Sequence, residues 1–169
     1  MREIIVCKEK VSEIQQIWDV NSAAFETNGE ADLVNRLRNC GVDFTSLVAK
    51  LEEEIVGHIL LTEVELLNSE IKIAGLAPMA VKPNYQNNGI GSVLVKQGLK
   101  ECITSGYKAV VVLGHPNYYP KFGFEPSVNF GIKSEYDVPD EVFMIKELDK
   151  NSLLELSGIV KYHEEFNKL

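Results

Sequence analysis

A glycine-containing segment between residues 76 and 91 carries the clearest chemical signal in this sequence. It reads Leu-Ala-Pro-Met-Ala-Val-Lys-Pro-Asn-Tyr-Gln-Asn-Asn-Gly-Ile-Gly. The pattern predicts an apolar strand, then a polar turn, and then a helix opened by Gly89 and Gly91. The first backbone N–H groups of a helix have no acceptor within the helix. Directed at one point, such groups suit a phosphate, so the segment predicts a phosphate-binding loop.

Two common nucleotide-binding loops do not fit this segment. A P-loop requires Lys directly after its second glycine, whereas Gly91 is followed by Ser92. A dinucleotide fingerprint that begins at Gly89 requires a third small residue, and position 94 is Leu94. It also requires an acidic residue about 20 positions further on, and the apolar run 109–113 contains none. The predicted phosphate ligand is therefore of another kind.

The remaining pattern, Gln86-x-x-Gly89-x-Gly91 after a strand, resembles the motif of the GNAT superfamily of acetyl-CoA-dependent N-acetyltransferases. The lead-in Leu-x-Pro-x-x-Val-x-Pro over residues 76–83 is also similar. A second block, Gly114–Phe124, resembles the family's strand followed by Tyr-x-x-x-Gly-Phe. On these motifs the chain is identified as a member of the superfamily, similar to small stand-alone bacterial members of undefined substrate.

The resemblance implies that acetyl-CoA is bound as the acetyl donor, with no metal. The loop amides would hold its pyrophosphate, main-chain groups of the preceding strand would hold the pantetheine arm, and an asparagine would hydrogen-bond that arm. The predicted cofactor-binding residues are Met79, Ala80, Val81, Gln86, Asn87, Asn88, Gly89, Ile90, Gly91, Ser92 and Asn117.

Tyr119 is the predicted general acid, because it matches the family tyrosine that donates a proton or a hydrogen bond to the departing CoA sulfur. A phenol with an ordinary pKa of about 10 stays protonated at neutral pH and can donate as the thiolate forms. A one-residue shift in register would give this role to Tyr118. The alternative interpretation is that both rings pack a short helix against the sheet.

The sequence does not identify a general base. An ammonium nucleophile must lose a proton before it attacks, so a carboxylate, a histidine or a chain of water molecules is required. For each side chain that qualifies by type, a solvated or structural role is the stronger interpretation. These side chains are Glu26, Glu30, His58, Glu63, Glu65 and His115.

Covalent catalysis by cysteine is not expected. An acetyl-cysteine mechanism needs a thiolate that is activated by a neighbouring base. Cys102 falls on the apolar stripe of its predicted helix, and Cys7 and Cys40 have no histidine near them in sequence. We therefore expect direct attack by the amine within a ternary complex.

Composition restricts the class of partner. The 169 residues carry a formal net charge of −8, which disfavours nucleic-acid binding and favours a cationic acceptor. Three widely spaced cysteines form no disulfide framework, so a reducing cytoplasm is the expected compartment. No apolar run is long enough to span a bilayer, so no membrane association is expected. The oligomeric state is not indicated, and a homodimer stays open.

The periodicity of apolar residues predicts an α/β (α+β) fold, and the resemblance specifies it as the GNAT fold. That fold is a mixed central sheet of six to seven mostly antiparallel strands, splayed between strands 4 and 5 and flanked by about four helices. Predicted strands cover residues 4–7, 44–51, 55–65, 71–81, 109–113 and 142–148, with another near Gly131. One domain is expected over residues 1–169, with a core at 3–148, an acetyl-CoA region at 76–124 and an extension at 149–169.

Three helices have detailed expectations. Ser12 and Gln15 predict a capping box for the first, which runs to Phe25. A short second helix covers residues 31–38 and the third follows Gly91. The third has a predicted apolar stripe and an internal glycine that indicates close packing; these residues are Val95, Leu99, Cys102, Ile103 and Gly98.

The acceptor stays open, since the segments expected to select it, 21–44 and 125–169, carry no ligand motif. The favoured function is acetyl transfer to a primary amine of a small molecule. The first alternative is acetylation of a protein N-terminus or lysine. The second is a non-catalytic acyl-CoA-binding regulatory module, which the missing base supports and Tyr119 opposes.

Overall fold

The computed structural model describes residues 2–169, in which the sequence forms three α-helices and nine strands. The helices are α1 (Ile14–Ala24), α2 (Gly29–Asn39) and α3 (Ile90–Thr104). The strands are β1 (Ile4–Lys8), β2 (Phe44–Leu51), β3 (Glu54–Leu66), β4 (Ile73–Val81), β5 (Ala109–Leu113), β6 (Glu125–Pro126), β7 (Ile132–Ser134), β8 (Phe143–Glu147) and β9 (Gly158–Lys161). Across this described part, no helix combines the length and the apolar character that a membrane crossing requires.

The strands form one mixed sheet in the order β1-β2-β3-β4-β5-β8-β6, and β9 pairs with both β3 and β7. Parallel pairing of β4 with β5 joins residues 73–76 to residues 109–112 and ends there, whereas β4 continues to Val81. The other pairs of the main path with a defined register are antiparallel. The predicted mixed, mostly antiparallel fold with a break between strands 4 and 5 is confirmed. Within residues 2–169 there are three α-helices, against the expected number of about four.

The chain divides into two compact units. The first contains the residues up to Leu61, Pro78–Gly98 and Glu164–Leu169, and the second contains Thr62–Ala77 and Leu99–His163. Apolar side chains of α1, α2 and the β2–β3 hairpin fill the first unit: Ile17, Val20, Leu33, Leu37, Leu47, Ile55 and Ile59. The second unit is built on β5 and β8, which bury Val110, Val111, Met144 and Ile145.

The buried face of α3 differs from the predicted one at one position. Val95, Leu99 and Cys102 are buried as expected, but Ile103 is 57% exposed. Leu94, which the predicted stripe left out, is fully buried. The buried face advances in steps of three and four residues through positions 94, 95, 98, 99 and 102, and position 103 has already turned away from it.

Two glycines bring α3 close to β3 in the first unit. A Cβ on Gly57 would lie 3.0 Å from both Ile90 Cγ2 and Leu94 Cδ1, and a Cβ on Gly98 would lie 3.0 Å from Leu61 Cδ1. Both distances are tighter than ordinary van der Waals contact. The prediction that Gly98 marks close packing is confirmed, and Gly57 does the same for the first turn of the helix.

The predicted capping box of Ser12 and Gln15 is wrong. A short 3₁₀ turn precedes α1, and the carboxylate of Glu13 accepts a hydrogen bond of 2.8 Å from the Lys10 backbone N–H. The same carboxylate pairs with Lys50. A carboxylate is a stronger acceptor than a serine hydroxyl, so Glu13 determines how the chain enters this helix.

His58 of β3 is completely buried in the first unit and is hydrogen-bonded on both ring nitrogens. The amide nitrogen of Asn21, which lies on α1, is 3.0 Å from Nδ1, and Ser46 Oγ of β2 is 2.8 Å from Nε2. An amide nitrogen only donates, so Nδ1 is the acceptor and Nε2 donates its proton to Ser46. Burial, with a smaller effect of Arg38, lowers the pKa of His58 to about 3, and the ring is neutral.

We expect the free energy of unfolding to decrease as the pH falls from about 6.5 to about 3, in part because of His58. In this window the unfolded chain protonates the ring and the folded chain does not, so stability rises with pH by up to about 1.4 kcal/mol per unit. Urea unfolding of wild type and His58→Gln at about pH 5 and about pH 7 measures the effect, which the variant should lose.

His115→Gln, at an exposed histidine, is the matched control and should keep the wild-type pH dependence. Carboxylates contribute equally to all three proteins, so the difference between them isolates the ring. An NMR titration of the wild-type histidines gives a second measurement, in which His58 should not titrate between about pH 7 and about pH 5. A titration of His58 in that range would refute the assignment.

Candidate active site

The predicted phosphate loop, Gln86–Gly89, connects β4 to α3 through the short 3₁₀ helix Pro83–Tyr85 in the first unit. Asn87 and Gly89 have left-handed backbone conformations, with φ of 64° and 82°. No atom lies within 4 Å of the place that a Cβ on Gly89 would occupy. The glycine therefore serves the backbone turn and leaves open space on this side of the loop.

Side-chain amides of the loop close the turn. Gln86 Nε2 donates to the Val81 carbonyl oxygen at 3.0 Å. Asn88 Nδ2 donates to the carbonyl oxygens of Tyr85 at 3.3 Å and of Gln86 at 3.2 Å. These bonds occupy backbone carbonyls and leave backbone N–H groups untouched, so the loop is held in shape without using its donors.

The backbone donors at this loop are the groups that a phosphate could use. Within residues 2–169, the N–H groups of residues 87–91 have no protein acceptor. The first backbone bond of α3 runs from the Val93 N–H to the Gly89 carbonyl oxygen at 3.1 Å. Consecutive free donors at a helix N-terminus carry partial positive charge. This arrangement can bind a phosphate or pyrophosphate group.

The loop is also tied to the start of β3 by Glu54. Its carboxylate accepts hydrogen bonds from Lys82 Nζ at 3.0 Å and from the Tyr85 hydroxyl at 2.9 Å. These two hydrogen bonds lower the pKa of Glu54, and the bond from Lys82 has the larger effect. The Lys82 backbone N–H donates to Val56 O at 2.9 Å. Sequence reasoning missed this support, because Glu54 belongs to the run of three glutamates that indicates a charged turn.

The predicted pantetheine-binding segment, Met79–Val81, is the end of β4 in the first unit. Ala80 is buried, and Met79 and Val81 are half-buried on the alternate face. The Val81 carbonyl oxygen accepts the bond from Gln86, which lies in the loop itself. The predicted strand and loop residues are thus joined by a direct hydrogen bond.

Tyr119, the predicted acid, lies in the second unit at the start of the 3₁₀ helix Tyr119–Phe122. Its ring is 8% exposed and packs edge-on against Tyr118 and Phe124, with centroid separations of 5.0 and 5.7 Å. Gly114 makes room for it, since a Cβ there would overlap the Tyr119 ring. Burial, with a smaller effect of Tyr118, raises the pKa of Tyr119 to about 12.

The other residues of this block are more accessible. Tyr118 is half-buried, and Lys121 Nζ lies 4.0 Å from the centroid of its ring. Asn117 and His115 are exposed on the turn that follows β5. His115 and Val142 contribute to an open cavity of about 300 Å³. The two candidates for the acid therefore differ in burial, since Tyr119 is buried and Tyr118 is half-buried.

The side chains that qualified as a base lie in different surroundings. His58 is enclosed by Asn21 and Ser46 and does not reach the surface. The most accessible are Glu26, Glu65 and His115, whereas Glu63 and Glu30 are half-buried. One carboxylate oxygen of Glu30 is buried without a hydrogen-bond partner in the described part of the chain. No base is assigned.

The environment of Cys102 does not activate its thiol. Cys102 is fully buried, and burial raises the pKa of its thiol to about 12, far from an activated thiolate. Cys40 is exposed, with its sulfur 3.3 Å from the Leu37 carbonyl oxygen. Among residues 2–169, no cluster of three or more His, Cys, Asp or Glu side chains is arranged to hold a metal ion.

Comparison with known proteins places the chain in a family. The model of the acetyltransferase (GNAT) family matches residues 14–124. The uncharacterised N-acetyltransferase YhbS of Escherichia coli strain K12 is 34% identical over 146 residues, which cover 86% of this chain and 87% of that protein. The uncharacterised N-acetyltransferase YjhQ of the same strain is 38% identical over 136 residues, which cover 77% of this chain and 75% of that protein.

Two solved structures are also similar. The crystal structure of Escherichia coli YhbS in complex with CoA superposes with a TM-score of 0.95 at 30% identity, covering 99% of this chain and 93% of that chain. A GNAT family acetyltransferase from Brucella melitensis in complex with acetyl-CoA gives 0.81 at 27% identity, with 98% and 99% covered. With a family model that matches most of its length and relatives above 30% identity, this chain belongs to the GNAT family of acetyltransferases.

Proposed function

We propose that this chain binds acetyl-CoA and transfers its acetyl group to a primary amine of a small molecule, by direct attack in a ternary complex. The observation that carries the proposal is the run of N–H groups of residues 87–91 that have no protein acceptor in the described chain. Two similar proteins, solved with CoA and with acetyl-CoA, support the choice of donor.

In the proposed complex, the backbone N–H groups of residues 87–91 bind the pyrophosphate of the donor. The predicted Gln86 amide is not among them, because its N–H already donates to the Pro83 carbonyl oxygen at 3.3 Å. The pantetheine arm bonds to main-chain groups of Met79 and Ala80, because the Val81 carbonyl is already engaged by Gln86. Asn117, exposed on the turn after β5, donates an additional hydrogen bond to that arm. The space beside Gly89 allows the phosphates to approach the backbone closely.

The proposed reaction starts from a neutral amine. Its nitrogen attacks the thioester carbonyl carbon, the new C–N bond forms, and the C–S bond breaks with its electron pair leaving on sulfur. The proton that the nitrogen loses passes to a base or to water, and a proton from solvent finally neutralises the thiolate.

Tyr119 stabilises the departing sulfur in this proposal. Its pKa is about 12, and a thiol has an ordinary pKa of about 8.5. Complete proton transfer from the phenol to the thiolate is therefore unfavourable, and donation of a hydrogen bond to the developing charge is favourable. Of the two roles that the family resemblance allows, burial favours hydrogen bonding.

Charge supports a cationic acceptor, since the formal net charge is −8. The same charge argues against nucleic acid as a partner. A cytoplasmic location, a single domain and a homodimer stay predictions.

The proposal is tested by calorimetric titration with acetyl-CoA and desulfo-CoA, followed by CoA thiol release with a panel of small amines and peptides. Binding together with release on small amines supports the proposal. Release on peptides alone assigns a protein acceptor, and tight binding without any release favours a regulatory module. Absence of binding refutes the assignment of the loop.

Tyr119→Phe should lower kcat by about 10-fold or more and leave the affinity for acetyl-CoA nearly unchanged, because the lost hydroxyl acts when charge develops on sulfur. Single-turnover thiol release and calorimetry measure the two quantities. Tyr118→Phe is the matched control and should keep the wild-type kcat. A loss confined to Tyr118→Phe would transfer the role to Tyr118, and unchanged kcat in both would remove the pair from the mechanism.

Gly89→Leu should abolish measurable acetyl-CoA binding, because the side chain would occupy the open side of the loop and oppose φ of 82°. Gly106→Leu is a matched control, since Gly106 has φ of 85°, equally open surroundings, and a position after α3 outside the loop. The two variants should lose similar stability in thermal unfolding, but only the first should lose binding in calorimetry. Equal affinity in both would overturn the loop assignment.

A further inference from the structure

A cavity of about 340 Å³ lies in the second unit, lined by residues between Ser127 and Phe143. These residues form short strands, 3₁₀ turns and irregular segments around β7. The lining includes three carboxylates and one ammonium group, so its charged side chains are mainly acidic. They are Glu135, Asp137, Asp140 and Lys133.

Ser127 provides an observation independent of these charges. It lines the cavity and is 1% exposed, yet its hydroxyl has no hydrogen-bond partner within residues 2–169. A buried hydroxyl without a partner is costly, and most buried polar groups in native proteins are paired. A polar group of a ligand in the cavity would supply the missing partner.

The acidic segment is held in place by bonds to the backbone. Glu135 Oε2 accepts a hydrogen bond of 2.8 Å from the Tyr162 backbone N–H. Ser134 Oγ accepts one of 3.0 Å from the Tyr136 N–H. The charged groups are therefore presented by a constrained turn, and a ligand does not have to order it on binding.

A metal ion does not fit this set of carboxylates. Among residues 2–169, no three such side chains converge closely enough to hold one. The carboxylates are instead spread around a cavity that also has the aromatic rings of Tyr136 and Phe143 in its lining. Dispersed negative charge beside aromatic surface suits an extended organic cation, because ammonium groups are attracted to carboxylates and to the faces of aromatic rings.

Direct contacts within the second unit connect the cavity to Tyr119. The Tyr119 ring lies against Gly114, where a Cβ would overlap it. The Gly114 N–H donates to the Val142 carbonyl oxygen at 2.9 Å, and Val142 precedes the lining residue Phe143. Phe143 also pairs with Leu113, the residue before Gly114, so a lining residue and the Tyr119 ring both adjoin the same end of the β5–β8 pair.

We propose that this cavity binds the second, non-reacting ammonium group of a diamine acceptor. The inference rests on the proposed function, in which the attacking amine is neutral, so the carboxylates attract a different, charged nitrogen of the same molecule. Ser127 Oγ accepts a hydrogen bond from that ammonium group. The substrate class is therefore a small organic dication rather than a monoamine.

Calorimetric titration of the full chain with diaminobutane and with butylamine tests the cavity without requiring turnover. The diamine should bind about tenfold more tightly, and Asp140→Asn should remove most of the difference. Glu141→Gln, at an exposed carboxylate that is next in sequence and outside the lining, is the matched control and should bind the diamine like wild type. The proposal is overturned if wild type binds the two amines with equal affinity. It is also overturned if the two variants bind the diamine with equal affinity.

Ser127→Ala gives a second, independent measurement. It should weaken diaminobutane binding several-fold without lowering Tm by more than about 2 °C, because the lost hydroxyl has no protein partner. A lower Tm with unchanged diamine affinity would assign Ser127 a purely structural role and count against the proposal.

Thiol release with both amines separates this inference from the proposed function. Acetyl-CoA turnover that is no better with diaminobutane than with butylamine would leave the transferase standing and overturn the diamine site. Diamine binding that responds to Asp140→Asn, in a chain that fails to bind acetyl-CoA, would support the cavity and refute the proposed function.

Discussion

The conformation of the loop between β4 and α3 meets one constraint: within residues 2–169, the backbone N–H groups of residues 87–91 have no protein acceptor. Backbone N–H groups normally have a hydrogen-bond partner. A segment that leaves several of them unpaired must therefore be held in its conformation by other hydrogen bonds. Here Gln86 and Asn88 bond to backbone carbonyls, while Glu54 anchors the preceding residues through Lys82 and Tyr85. The same support brings the free N–H groups to the start of α3, which Gly57 allows to approach β3.

In the second unit, burial determines the chemistry of the Tyr119 hydroxyl. The environment that raises its pKa also keeps the hydroxyl protonated through the physiological range, so a donor is always present. A phenol is already a weaker acid than a thiol, and the shift widens the difference in pKa between Tyr119 and the thiol it would protonate. The role that we propose for Tyr119 is therefore electrostatic: the hydroxyl stabilises charge as it forms, and the proton comes from elsewhere.

Much of the fold could be predicted because its elements have regular periods. The prediction of β2 and β5 matches to the residue, since β5 is a continuous apolar run, β2 is mostly apolar, and charged or glycine-containing turns bound both. Position 103 of α3 and the start of α1 could not be predicted as well. Position 103 lies just beyond the edge of the buried face of the helix, where a small difference in rotation decides burial. The start of α1 depends on the Glu13 carboxylate, which periodicity does not report.

The candidate site shows the same division more sharply. Recognition by backbone groups restricts residue type, because positive φ and close approach favour glycine, and the loop was therefore evident from Gly89 and Gly91. Side-chain support is different: Glu54 meets Lys82 and Tyr85 across 28 and 31 residues, so no local spacing records it. The cavity of the second unit is built from side chains on irregular segments, where an acidic residue in sequence is indistinguishable from a solvated one. Backbone geometry thus leaves a record in residue type that the sequence shows, whereas an arrangement of side chains on irregular segments is found only in the structure.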